Sequence, residues 1–61
     1  MANLTEKELT FLTDLLNNEQ NVVKKMKYYA EQCTDPQLKT LCEKEASRHQ
    51  THYNTLLNQL N

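Results

Sequence analysis

The chain predicts an all-α fold: an antiparallel two-helix hairpin that dimerises into a four-helix bundle. Three observations carry this. The 61 residues contain no Gly and one Pro, a composition that favours long helices. Apolar residues recur at alternating three- and four-residue steps through two segments, the period of a packed helix seam. Two helices joined by one turn leave each apolar stripe half covered, and a lone core of this size is marginal, so a second copy is expected to complete the bundle.

The first helix is expected over residues 6–33. Thr5-Glu6-Lys7-Glu8 reads as a capping box, in which the Thr5 hydroxyl and the Glu8 carboxylate satisfy the first turn reciprocally. Leu4 and Leu9 flank it as a hydrophobic staple. The seam of this helix runs through Leu12, Leu16, Glu19, Val23, Met26, Ala30 and Cys33. A turn is expected at 34–35, where Asp35 can cap the next helix and Pro36 suits its first position. The second helix is expected over residues 36–60, with Leu38, Cys42, Glu45, His49, His52 and Leu56 on its seam. So short a linker permits only an antiparallel pair. The whole chain, residues 1–61, reads as one domain.

The bulk numbers exclude several functions. Net charge is −1, and the only basic cluster, Lys24, Lys25 and Lys27, lacks the interleaved aromatics of a nucleic-acid face. Its place in the C-terminal half of the first helix suits the helix dipole. No apolar run exceeds three residues, which predicts neither a membrane span nor a secretory signal, and hence a cytoplasmic protein. Cys33 and Cys42 are expected to be separated along the hairpin by roughly 9 Å, too far for one bridge. Two reduced core thiols are the simpler reading, with a dimer-linking bridge or redox role as alternatives.

Chemistry is concentrated in one layer. Two helices of similar length should pair residues whose numbers sum to about seventy, which sets Glu19 level with the stretch between His49 and His52. Polar groups on a seam are costly unless they pair, hydrogen-bond or hold a metal. His49-x-x-His52 places two imidazoles one turn apart, Glu19 adds a carboxylate from the facing helix, and Glu45 lies one turn below His49. Glu19, His49, His52 and Glu45 are therefore the candidate metal ligands, for zinc or iron above all. A twofold partner would double the set. The alternatives are a metal-free pair that fixes register, an i, i+4 contact between Glu45 and His49, or a hydrated layer.

No catalytic residue emerges. Cys42 and His49 are two turns apart, about 10 Å, and Ser47 falls on another face. No Gly-rich loop is available for phosphate. Tyr28, Tyr29 and Tyr53 read as amphipathic residues at the seam edge, with Tyr29 and Tyr53 closing the bundle flank.

The stretch Lys44-Glu45-Ala46-Ser47-Arg48-His49-Gln50-Thr51-His52-Tyr53-Asn54-Thr55-Leu56-Leu57 resembles the corresponding helix of the spore coat protein F (CotF-like) family. Leu12 to Tyr29, with Glu19 inside, is similar to that family's leading helix, so the likeness covers nearly the whole chain. The resemblance implies a ferritin-like or rubrerythrin-like architecture at half length, rebuilt by two copies. That wider group binds two irons through a Glu on one helix and Glu-x-x-His on the next. Glu19 matches the first Glu and His52 the His, but His49 stands where the second Glu would be. Losing that bridging carboxylate argues against a di-iron oxidase and for one ion per half of the dimer. The resemblance further implies a sporulation- or stress-associated structural protein, found with the spore and with other coat proteins as partners. A metal-binding redox or storage protein is the alternative, and an adaptor that binds another protein is a third.

Overall fold

The computed structural model describes residues 3–61; positions 1 and 2 of the expected domain lie outside the described residues. Helix α1 spans Glu6–Gln32 and helix α2 spans Pro36–Leu57, followed by a 3-10 turn over Asn58–Leu60. The helices pack side by side and antiparallel in a rod of 46 × 16 × 11 Å, with no strand among the described residues. The expected all-α hairpin is the fold observed.

Each end of each helix has a local cause. Thr5 Oγ1 accepts from the Glu8 amide at 3.1 Å while Glu8 Oε1 accepts from the Thr5 amide at 3.0 Å, completing the capping box. The chain leaves α1 when Cys33 turns to extended backbone, one residue earlier than expected. Asp35 then caps α2 by accepting from the Leu38 amide at 2.8 Å, and Pro36 occupies the first turn, where its missing N–H costs nothing. At the far end α2 tightens into the 3-10 turn after Leu57 instead of continuing as α-helix to residue 60.

The shared seam is narrow. Leu12, Val23, Ala30, Cys42 and Ala46 are buried, and Leu16, Met26, Cys33, Tyr53 and Leu56 are half-buried. Among the described residues no large side chain is fully enclosed. Leu38 departs from expectation: it is 51% exposed, and Lys39 takes the half-buried place beside the seam. The cap at Asp35 sets the rotational phase of α2 so that Lys39 points across the turn. Its Nζ donates to the Ala30 carbonyl at 2.8 Å, supplying a partner near the end of α1, where carbonyls lack intrahelical donors.

That contact also corrects the dipole argument for the lysine cluster. The last turn of α1 holds no basic residue, because the helix continues past Lys27 to Gln32. The cation near its C-terminus comes from α2 instead. Tyr53 lies at the flank as expected, but Tyr29 is exposed in the hairpin and stacks at a tilt on Tyr28, with ring centroids 6.2 Å apart. Leu9, the expected staple partner, is also exposed.

Candidate metal centre

Glu19 lies at the middle of α1, and its carboxylate reaches across to two imidazoles on α2. The His49 Nδ1–H donates to Glu19 Oε1 at 2.5 Å. The second oxygen, Oε2, lies 3.5 Å from His52 Nδ1. One carboxylate therefore serves both rings, one oxygen to each. The rings themselves meet edge to face with centroids 5.3 Å apart, as the one-turn spacing of His49 and His52 requires.

The expected level pairing is thus the one observed, but the four candidate ligands differ in their surroundings. Glu19 and His49 are half-buried, whereas His52 has 47% of its side chain exposed and stands at the edge of the seam. Glu45 lies on the far side of the His49 ring, with Oε2 3.6 Å from Nε2. It is held there by Arg48, whose Nη2 and Nε approach the same oxygen at 2.9 and 3.0 Å. Arg48 is a participant that seam counting passed over; its i, i+3 spacing from Glu45 was the available sign.

The electrostatics follow the geometry. The hydrogen bond from His49 holds the Glu19 carboxyl below its ordinary range, partial burial opposes this, and the charges of His49 and His52 reinforce it. At the turn end, burial pushes the Cys42 thiol above the usual range, with the neighbouring Cys33 thiol adding to the effect. Both cysteines are free, but their thiols are neighbours across the turn and not separated along the hairpin as the helical rise suggests, because side chains of the two facing helices reach toward each other there.

One ligand atom each from Glu19, His49 and His52 lie within 4.8 Å of one another. Around a tetrahedral zinc, such donors stand about 3.4 Å apart. Closing on one ion would open the 2.5 Å Glu19–His49 pair and draw in the most widely separated donors. The donor set fits: imidazole nitrogen and carboxylate oxygen together suit zinc or iron(II). Glu45 is outside this three-donor group, and its Oε2 is paired with Arg48. Among the described residues this is the one group of three or more such donors so gathered.

No protein-family model, curated protein or solved structure matches the chain. Among the described residues, no helix is long and apolar enough to cross a membrane.

Proposed function

We propose that the chain is a small structural protein that works as a homodimer and holds a divalent transition metal in its core. Glu19, His49 and His52 would be the ligands, with zinc(II) and iron(II) the fitting ions. The observation that carries this reading is the single Glu19 carboxylate facing two imidazoles, all three donors within 4.8 Å. Such an ion would tie α1 to α2 at mid-height, so its binding free energy would become folding free energy. Glu45 would orient His49 from outside the ligand set, much as carboxylates orient metal-bound imidazoles elsewhere.

A metal clip answers a specific weakness of this hairpin. Among the described residues the core has five that are buried, two of them alanines and one a cysteine, and a small scaffold with so little core needs another source of stability. The coat-type role implied by the CotF-like resemblance would make the protein an assembly unit among other coat components of a spore, and the large apolar residues left at the surface are available for association.

The test is metal content by mass spectrometry on tag-free protein prepared without chelators, beside a His49→Ala, His52→Ala double variant. Metal near one equivalent per chain in the parent and none in the variant is the expected result. Metal-free protein that neither binds zinc nor gains stability from it would reduce the layer to a register-setting hydrogen-bond cluster.

A further inference from the structure

The two long sides of the hairpin differ in kind. One carries a polar groove lined by Lys27, Glu31, Lys39, Glu43, Ser47 and Gln50, among others. By helical phase, the other side carries Phe11, Leu15, Val22, Met26 and Tyr29 from α1 and Leu38 and Leu41 from α2. Phe11, Leu15, Tyr29, Leu38 and Leu41 are each more than two-fifths exposed. The ionisable groups beside it are Lys25 at the outer edge of the α1 stripe, Arg48 on α2 and those of the Glu19 layer, and the exposed His52 opens toward it.

We infer that this apolar side is the dimer interface, and that a second copy of the chain brings its own Glu19, His49 and His52 to the same level. The inference gives a surface to the homodimer proposed above, and its shared-ligand part rests on the metal reading. What selects a second copy is the arrangement of the stripe about Glu19. Leu15 lies four residues before it and Val22 three after; Phe11 lies eight before and Met26 seven after; Leu4 lies fifteen before and Cys33 fourteen after. Such a stripe is nearly complementary to its own reversed copy, as a twofold interface demands.

Glu19 is also the central residue of α1. A twofold axis across the helices at full overlap therefore superposes the two polar layers, and an axis along the helices keeps them level in any case. Either way the layers meet. A face 46 Å long and 16 Å wide presents about 700 Å² in projection, close to the ~800 Å² per partner of a standard stable interface. Two imidazoles and one carboxylate leave a tetrahedral ion one position short. The second copy's layer would supply it from the open side.

Sedimentation equilibrium of the full chain tests the surface, in chelator and again with zinc. The variants are Leu15→Lys on the apolar side and Ser47→Lys on the polar side. The parent and Ser47→Lys should be dimers in both conditions, with Leu15→Lys dissociating at least about 100-fold more readily. Should Leu15→Lys lose helix, Phe11→Lys at a more exposed position of the same side takes its place in the comparison and should dissociate the dimer with the helices retained. A monomeric parent, or a dimer that Leu15→Lys leaves intact while Ser47→Lys breaks it, overturns the surface. Cobalt titration reads the metal separately. A dimer that binds no cobalt leaves the surface standing and removes the metal reading, whereas undiminished cobalt affinity in monomeric Leu15→Lys overturns the sharing of ligands alone.

Discussion

Glu19 accepts a 2.5 Å hydrogen bond from His49 across thirty residues of sequence, and this bond joins the middle of α1 to α2. Charge-assisted pairs of this kind are short and directional. A divalent ion bound through His49 Nδ1 and Glu19 would take the place of this hydrogen bond, so metal binding and protonation compete for the same atoms.

That competition gives the first prediction. Zinc should raise the melting temperature of the parent at neutral pH, and the gain should fade in acid as protons compete with the ion for the imidazole nitrogens. Glu19→Gln should weaken zinc binding by more than about 10-fold while leaving the helices formed. Calorimetric titration at a series of pH values between about 5.5 and 7.5 would show both effects.

In chelator, acid should destabilise the chain by a different route. Glu8 and Glu19 both have carboxyls held below their ordinary range, Glu8 by its hydrogen bonds with Thr5 and Glu19 by His49. A depressed folded-state pKa contributes stability above the unfolded value, near about 4.3, and loses it as pH falls through the folded value. Urea melts taken stepwise below pH 5 should therefore show falling stability, and the slope should be shallower in Glu8→Gln and in Glu19→Gln than in the parent.

The helix caps should carry measurable weight. Thr5→Ala removes the acceptor for the Glu8 amide and should cost about 1 kcal/mol. Thr5→Ser should recover most of that loss. Chemical denaturation of the three proteins side by side reads the difference directly.

Lys39 offers a separate test of the turn. Lys39→Met keeps the aliphatic stem but removes the donor to the Ala30 carbonyl, and should cost about 1 kcal/mol. Amide exchange should quicken in the last turn of α1, with little change around Glu19.

The two thiols should react in a fixed order. Cys33 is half-buried at the end of α1, whereas Cys42 is buried and its thiol is pushed up by that burial. Alkylation follows the thiolate and its access. Brief treatment with iodoacetamide should label Cys33 before Cys42 in the native protein, with the difference vanishing in denaturant.

The seam, both caps and the level pairing of Glu19 with the histidines were legible in the sequence because each follows from helical period and a short turn. What the sequence left unresolved lies in finer rotations. Leu38 and Lys39 are adjacent, and their exchange at the seam edge depends on where the Asp35 cap starts α2, a matter of one residue. Glu45 matched the seam by spacing, yet its carboxylate is claimed by Arg48, and competition among long side chains has no periodic signature. His52 lies at the border between the seam and the open side, where counting alone cannot separate a buried residue from a half-exposed one.

The turn itself has a practical consequence. Cys33 and Asp35 both lie in extended backbone, and among the described residues none has positive φ. The reversal of direction thus needs no glycine and stores no conformational strain. Thr34 sits some 20 Å from the Glu19 layer at the rise of a helix, and loop length adds little to closure entropy. A peptide tag or a fluorescent reporter spliced in after Thr34 should be tolerated, leaving both termini free and the rest of the rod unaltered.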